Sequence, residues 1–296
     1  MAAPIVVKVG TSTLTDAQGR LDRAYLYELA WQVAAMRRQG RPVVLVSSGA
    51  VRAGCERLGW TRRPQSIPLK QAAAAVGQGE LIHAYNQAFG PAYPVAQVLL
   101  TRQDAADRER YVNARNTLTT LLRHGCIPIV NENDTVAVDE IRFGDNDTLA
   151  AQVAALVAAE LLVLLTDVPG FLDEAGQVIP RIDTIDERIR RLAGGSGRDG
   201  SGGMITKLAA AEIARARRPV ILAGHGILIH FFTDYAICFG CVACTHCVVP
   251  SAGHVEAALH VHSAPGHNRA LRPARRGSLC KQVLRGKSEG EEEIRV

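Results

Sequence analysis

Short apolar segments recur along the first 222 residues of the chain, and stretches with helical periodicity separate several of them. Segments that are apolar throughout are typical of strands in a parallel sheet that helices cover on both faces. The sequence therefore predicts an α/β fold with a mainly parallel central sheet. The predicted strands are Ile5 to Val9, Pro42 to Val46, Val95 to Leu100, Ile127 to Val130, Leu161 to Leu165 and Pro219 to Leu222.

The clearest helical pattern lies between the first two strands. Tyr25, Leu29, Val33 and Met36 recur at the spacing of one helix face, and Gly40 follows where a C-terminal cap belongs. The second strand ends at a Ser-Ser-Gly-Ala sequence, after which a helix is expected to begin near Val51. Strand, helix and strand thus alternate as a parallel sheet requires.

Length and composition limit the kind of protein that the chain can be. A chain of 296 residues is long enough for one large α/β domain or two smaller ones, and 47% hydrophobic with 21% charged residues fits a soluble globular protein. The apolar run from Met1 to Val9 is too short for a signal peptide, and no stretch is long enough to span a bilayer. We therefore expect a cytoplasmic protein without a membrane partner.

The basic excess does not indicate a nucleic-acid-binding protein. The formal charge is +5, and much of the excess lies in arginine-rich patches such as Arg269 to Arg285, which contain no interleaved aromatic residues. We interpret this segment as a solvated tail and expect no nucleic-acid partner, with nucleic-acid binding as the weaker alternative.

The composition changes after about residue 223. Seven of the nine histidines, counted from His225, and five of the seven cysteines lie in this last part. We expect one domain in residues 1–222 and a divergent tail in residues 223–296. The tail is expected to be disordered or aberrant, as a change of reading frame would produce.

Four cysteines of the tail form a C-x2-C-x2-C-x2-C array: Cys238, Cys241, Cys244 and Cys247. Such spacing is compatible with zinc or an iron-sulfur cluster. The last gap differs from that of the bacterial ferredoxin sequence, however, and the surrounding tail is anomalous. We therefore predict no metal site here, with an iron-sulfur protein as the alternative.

Two polar clusters follow the strand that ends at Val130. They are Asn131 to Asp134 and Gly144 to Asp147. Open α/β sheets bind ligands in the crevice outside the carboxyl ends of their strands, so these side chains are candidates for a polar site. The alternative is a pair of solvated turns, because Asn, Asp and Gly are ordinary turn residues.

Two lysines are candidates for binding phosphate. Lys8 is a lone charge in an apolar strand, where an unpaired ammonium group is unfavourable, and it precedes a Gly-Thr-Ser loop. A phosphate oxygen would compensate its charge; a partner carboxylate or a snorkelling side chain is the alternative. Lys207 is expected about one turn into a helix that begins near Met204.

A glycine-rich segment, Gly194 to Gly203, precedes that helix. Backbone N–H groups at a helix N-terminus attract anions, and glycine lets a phosphate approach closely. The spacing is not that of a Walker A motif, and a flexible linker is the alternative. Phosphoryl transfer depends mainly on positioning and charge neutralisation. The two lysines, the glycine-rich loop and Asp147 would therefore suffice for transfer from ATP with Mg²⁺.

Several motifs, in this order along the chain, resemble those of the glutamate 5-kinases in the amino acid kinase family. The resemblance covers residues 5 to about 222. The motifs are Val7-Lys8-Val9-Gly10-Thr11-Ser12, Ser47-Ser48-Gly49-Ala50-Val51, Asp107-Arg108-Glu109-Arg110-Tyr111, Asn131-Glu132-Asn133-Asp134, Phe143-Gly144-Asp145-Asn146-Asp147, Thr166-Asp167 and Gly202-Gly203-Met204-Ile205-Thr206-Lys207.

The resemblance implies a three-layer α/β/α sandwich that phosphorylates the side-chain carboxylate of L-glutamate with ATP, the first step toward proline. It also implies a role for each matching residue. Catalysis is implied for Lys8, Lys207 and Asp147; glutamate binding for Ser48, Asp134 and Asn146; and ATP binding for Lys8, Thr166, Asp167, Ser201, Gly202, Gly203, Met204, Ile205, Thr206 and Lys207.

Some expectations differ from the family pattern or leave a choice open. Neither the last part of the kinase domain nor the PUA domain of many members is recognisable after residue 222. We expect a homo-oligomer. The alternatives are a sister kinase that acts on N-acetylglutamate, aspartate, carbamate or UMP, and a nucleotide-binding protein with impaired catalysis.

Overall fold

A computed structural model of the chain describes residues 2–137, 146–194, 203–215, 220–223 and 259–261. All of them lie within one compact unit, Met1–Ser263. The strands are β1 (Ile5–Val9), β2 (Val43–Ser47), β3 (Val95–Leu100), β4 (Ile127–Glu132), β5 (Leu161–Leu165), β6 (Val220–Ala223) and β7 (Leu259–Val261). The helices are α1 (Thr11–Leu14), α2 (Arg23–Arg38), α3 (Ala50–Arg57), α4 (Ile67–Phe89), α5 (Arg102–Ala106), α6 (Arg108–Arg123), α7 (Asn146–Leu156), α8 (Glu187–Gly194) and α9 (Met204–Arg215).

The strands form one sheet in the order β3-β4-β2-β1-β5-β6-β7. Neighbouring strands from β3 to β6 are parallel, and β7 is antiparallel to β6. From β1 the chain proceeds to β2 on one side, while β5 lies on the other side and is followed outward by β6. The direction of winding therefore reverses between β1 and β5, which is where open α/β sheets bind ligands.

Alternate residues of β1 belong to two different hydrophobic cores. Ile5, Val7 and Val9 pack with residues of α2 and α4, whereas Val6 belongs to a core that includes α6, α7 and α9. Successive side chains of a strand point to opposite faces of the sheet. The sheet is thus covered by helices on both faces, and the predicted three-layer α/β/α sandwich is confirmed.

The same alternation determines where Lys8 lies. It is two residues after Val6, so it points to the face that α7 and α9 cover, one residue before the end of β1. The polar side chains of those two helices are therefore the ones that Lys8 can reach.

Helices α3 and α4 pack unusually close together at two glycines. A Cβ atom at Gly54 would lie 1.8 Å from the carbonyl oxygen of Ala73, and one at Gly77 would lie 1.8 Å from that of Ala50. These distances leave no room for any side chain, so the glycines allow the two backbones to touch. The contact fixes the start of α3 against the middle of α4.

The strands agree closely with the sequence predictions, with one informative difference. Strand β4 continues two residues beyond Val130, because Asn131 and Glu132 pair with Leu99 and Leu100 of β3. Strand β7 was not predicted at all. The domain boundary after residue 222 stays a prediction, and the cysteine array lies outside the described residues.

Other features of the described part bear on the sequence predictions. Helix α2 ends at Arg38, and Gly40 follows it with a φ of +76°, which confirms the predicted glycine after the helix. Cys55 is buried and Cys126 is partly buried. Among the described helices, none is long and apolar enough to cross a membrane.

Candidate active site

The candidate site lies at the carboxyl ends of the central parallel strands. Lys8 is near the end of β1, Ser48 follows β2, Asn131 lies in the last part of β4, and Thr166 follows β5. Helix α7 begins at this edge with Asn146 and Asp147. The sheet therefore gathers residues that are far apart in the sequence into one crevice.

Asp147 lies between the two lysines that the sequence singled out. The Lys8 Nζ atom is 2.7 Å from Asp147 Oδ1, and the Lys207 Nζ atom is 3.2 Å from Asp147 Oδ2. All three residues are buried, with exposed fractions of 6% for Lys8, 0% for Asp147 and 7% for Lys207. The structure thus brings Lys8 and Lys207 together on one carboxylate, as a shared role on one phosphate requires.

The environment of Asp147 keeps it ionised. Burial acts to raise the pKa of its carboxyl group, but the charges of Lys8 and Lys207 and the hydrogen bonds from Lys8 and Thr206 lower it more, so the net shift is downward. The two lysine ammonium groups thus outnumber the one carboxylate between them, which suits an anionic ligand.

Helix ends position the members of this cluster. Asp147 is in the first turn of α7, where the helix dipole favours a negative charge. In α9, Thr206 Oγ1 lies 2.8 Å from Asp147 Oδ2, to which it donates, and 2.7 Å from the carbonyl oxygen of Gly203. Thr206 therefore ties the start of α9, and Lys207 with it, to the start of α7.

Gly10 leaves space beside Lys8. A Cβ atom at Gly10 would lie 3.5 Å from Lys8 Nζ. Because glycine has none, the ammonium group can be approached from the loop that follows β1.

Asn146 connects this cluster to the neighbouring polar segment. Its Nδ2 atom lies 3.0 Å from the carbonyl oxygen of Ser47, 2.9 Å from Ser48 Oγ and 2.9 Å from Asn131 Oδ1. Ser48 Oγ accepts this hydrogen bond, so the hydroxyl proton of Ser48 is available to a ligand. Asn146 thus holds Ser48 as a donor next to the lysine cluster.

Two polar residues of α4 support this network, and sequence reasoning missed both. Gln78 Oε1 accepts a hydrogen bond from Asn131 Nδ2 at 2.9 Å, which fixes the orientation of the Asn131 amide. Tyr85, which is fully buried, has its hydroxyl group 2.8 Å from Ser47 Oγ. No sequence signal distinguished them, because α4 also contains other polar residues such as Gln71, Glu80 and His83.

A cleft beside the network contains the three residues predicted to bind substrate. Ser48, Asp134 and Asn146 all line it, together with Asn131 and Glu132. The start of α3, from Gly49 to Arg52, forms one wall, and Thr11, Arg63 and Lys70 complete the lining. The cleft therefore offers both acidic and basic groups to a small polar ligand.

The residues predicted to bind ATP are only partly described. Thr166 is buried and Asp167 exposed directly after β5, on the side of β1 opposite to β2. Gly203, Met204, Ile205, Thr206 and Lys207 lie at the start of α9. Ser201 and Gly202 lie outside the described residues, as does most of the glycine-rich segment. Thr166 and Lys207 thus belong to the half of the crevice beyond Lys8.

No cluster of three or more metal-binding side chains occurs in the part of the chain that the structure describes. Both oxygens of Asp147 face positively charged or hydroxyl donors, so this carboxylate is not offered to a cation. A divalent metal held by protein residues alone does not fit the described site.

Comparison with known proteins finds relatives that are about half identical to this chain. Glutamate 5-kinase from Geobacter sulfurreducens is 53% identical over 218 residues, which are 71% of this chain and 58% of that protein. The Herpetosiphon aurantiacus glutamate 5-kinase is 53% identical over 229 residues, which are 74% of this chain and 62% of that protein. This chain therefore spans about three fifths of the length of these relatives.

A solved structure and a family model also match this chain. Carbamate kinase from Giardia lamblia bound to AMP-PNP has a TM-score of 0.58 and 16% sequence identity, over 88% of this chain and 99% of that one. This likeness concerns the fold alone. Residues 3–224 match the pattern of the amino acid kinase family, which is most of the chain. The chain belongs to the amino acid kinase family.

Proposed function

We propose that the protein transfers the γ-phosphoryl group of ATP to the side-chain carboxylate of L-glutamate, which forms L-glutamyl 5-phosphate and ADP in the first step of proline biosynthesis. The observation that supports it most is the buried cluster of Lys8, Asp147 and Lys207, which adjoins a cleft lined by Ser48, Asp134 and Asn146. The glutamate 5-kinases that are about half identical to this chain support the same acceptor.

The lysines act on the migrating phosphoryl group. A carboxylate oxygen of glutamate forms a bond to the γ-phosphorus, and the bond from that phosphorus to the bridging oxygen of ADP breaks. Negative charge is spread over the phosphoryl oxygens during this step, and fixed ammonium groups stabilise it. The acceptor is already ionised at neutral pH, so no general base is needed.

Asp147 keeps the two lysines in position for this transfer. Without an anion between them, two buried ammonium groups would repel each other and move apart. Asp147 thus acts as an orienting residue that touches both catalytic lysines, and its lowered pKa keeps it ionised.

The acceptor cleft binds glutamate on the other side of Lys8. Ser48 and Asn146 lie beside the lysine cluster and suit the reacting carboxylate, whereas the carboxylate of Asp134 suits the ammonium group of the amino acid. Thr166, Asp167 and the segment from Ser201 to Lys207 are proposed to bind the nucleotide.

Mg²⁺ enters this proposal with the nucleotide. Magnesium in kinases is bound largely by substrate phosphates and water, so a dedicated protein cluster is not required. The described residues contain no cluster of three or more His, Cys, Asp or Glu side chains that would bind the ion independently of the nucleotide. The cytoplasmic location and the homo-oligomeric state stay predictions from the sequence.

The direct test is glutamate-dependent release of ADP by the full chain. We expect ADP release with L-glutamate and Mg²⁺-ATP, and none above background with N-acetylglutamate, aspartate, carbamate or UMP. Activity with one of those acceptors instead would assign the chain to a sister kinase. Nucleotide binding without turnover on any acceptor would show that the chain is catalytically impaired.

Substitution of the lysines tests their assigned role. Lys8→Ala and Lys207→Ala are each expected to lower kcat by about 100-fold or more, because each charge acts mainly in the transition state. The KM for glutamate is expected to change much less. An equal loss of glutamate affinity, with kcat preserved, would contradict the assignment.

A further inference from the structure

Three basic residues line the acceptor cleft, and the proposed reaction uses none of them. They are Arg52, Arg63 and Lys70. Within the described ranges, none of the three forms an ion pair with a carboxylate. Other surface arginines do form such pairs, for example Arg57 with Glu80 at 3.1 Å. The cleft also contains Glu132 and Asp134, but its three cations outnumber these two carboxylates, which suits an anionic group of a ligand.

Arg52 is directed away from the cleft, and Arg63 lies at its rim. The Nη1 atom of Arg52 is 3.1 Å from the position that a Cβ atom would occupy at Gly19, so its guanidinium group faces that turn. Arg63 is exposed and also lines a second cleft, with Trp60 and Pro64. Lys70, by contrast, is half-buried and lines only the acceptor cleft.

The position of Lys70 is fixed by its helix. Lys70 lies in the first turns of α4, where its backbone N–H donates to the carbonyl oxygen of Ser66 at 3.1 Å. The next residue, Gln71, has its Nε2 atom 3.4 Å from the carbonyl oxygen of Ala137, which ties α4 to the segment after β4. The close contact of Gly77 with Ala50 holds the same helix against α3. Lys70 is therefore held on a rigid wall of the cleft.

The chemistry of the proposed acceptor leaves one charged group without a partner. Glutamate has two carboxylates and one ammonium group. The reacting carboxylate faces the Lys8 cluster, and Asp134 suits the ammonium group, so the α-carboxylate still needs a cation. We propose that Lys70 binds the α-carboxylate of the acceptor and makes the enzyme select acceptors in which that group is ionised. This inference rests on the proposed function.

The experiment compares two acceptors that differ at one group. L-Glutamate and its α-amide, L-isoglutamine, carry the same side-chain carboxylate, but only glutamate has a charged α-group. The wild-type chain is expected to prefer glutamate in kcat/KM by about 100-fold, because the ion-binding side chain is left without its partner in the amide complex. Lys70→Met is expected to reduce this preference to below about fivefold, mainly through the KM for glutamate.

Controls separate charge recognition from folding. Lys70→Arg keeps the charge and is expected to keep a preference of at least about tenfold. Arg62→Met removes an exposed cation that lines only the neighbouring cleft, and it is expected to leave the preference unchanged. The KM for ATP and the midpoint of thermal unfolding should be similar in all variants. A general loss of structure would alter them together.

The outcomes are distinguishable. If Lys70→Met keeps the wild-type preference for glutamate, or if Arg63→Met removes the preference instead, Lys70 is not the α-carboxylate receptor although the chain is a glutamate kinase. If the wild-type chain releases no ADP with either acceptor, the proposed function fails, and the role of Lys70 fails with it.

Discussion

The substitution Asp147→Asn tests the physical basis of the lysine cluster. It keeps the shape of the side chain and removes only its charge. In the wild-type protein Asp147 is fully buried, and the side chains of Lys8 and Lys207 are only 7% and 8% exposed. The variant would leave two buried ammonium groups side by side without the charge of Asp147 between them.

The expected loss of folding free energy depends on the burial of the ion pair rather than on the distance between its charged atoms. Removing one partner of a buried ion pair typically costs about 3–5 kcal/mol of folding free energy, because the other charge stays desolvated. Asp183→Asn is a matched control, since Arg181 and Asp183 also lie 2.7 Å apart but are 56% and 63% exposed. Loss of that surface pair is expected to cost less than about 1 kcal/mol.

Urea unfolding at neutral pH, followed by circular dichroism, measures both effects. We expect a loss of about 3–5 kcal/mol for Asp147→Asn, and part of it should be recovered with Mg²⁺-ATP, whose phosphates would replace the missing anion. If the two variants lose similar amounts of stability, the buried cluster is not held by electrostatic pairing, and the argument for preorganised lysines is wrong.

Three further predictions concern pH, helix packing and the polar network. The pKa of Asp147 is lowered in the folded state, so its contribution to stability is present above its unfolded pKa of about 3.9 and is lost as the pH falls through the folded value. The difference in unfolding free energy between the wild type and Asp147→Asn should therefore shrink below about pH 4. A difference that does not depend on pH would contradict the assignment. Gly54→Ala and Gly77→Ala should each destabilise the protein by at least about 2 kcal/mol in the same unfolding assay, because the new Cβ atoms would overlap backbone atoms. Gly79→Ala is the control: no atom lies within 4 Å of its Cβ position, so it should stabilise the protein by about 0.5–1 kcal/mol. Gln78→Met removes the acceptor for the Asn131 amide and should raise the KM for glutamate about five- to tenfold without changing the KM for ATP. Equal changes in both KM values would show a general disturbance of the structure instead.

The central strands β1, β2 and β5 were predictable because they are mainly apolar runs that are buried throughout. Strands β1, β3 and β5 have the predicted bounds. Strand β4 was predicted too short, because Asn131 and Glu132 have polar side chains but pair with β3 through their backbones. Residue type alone does not reveal such pairing, which depends on a neighbouring strand about 30 residues away in the sequence.

The candidate site was predictable where a residue conflicts with its surroundings. Lys8 was identified because an ammonium group in an apolar strand needs a partner. The structure provides one in Asp147, as one alternative had proposed, and brings Lys207 to the same carboxylate. Gln78, Tyr85 and Lys70 were missed, since their helix contains no motif that distinguishes a polar residue facing the site from one facing solvent. Only the position of α4 in the folded protein shows which of its polar residues face the site.

Asn146 and Asp147 are consecutive residues at the beginning of α7, yet they serve opposite halves of the crevice. Asn146 holds Ser48 beside the acceptor cleft, while Asp147 holds the two lysines. In the proposed reaction, these two adjacent positions link the acceptor side of the crevice to the lysines that bind the phosphoryl group. A displacement of α7 would then move both sides together. We expect an insertion between the two positions to separate them and to abolish transfer even if both substrates still bound.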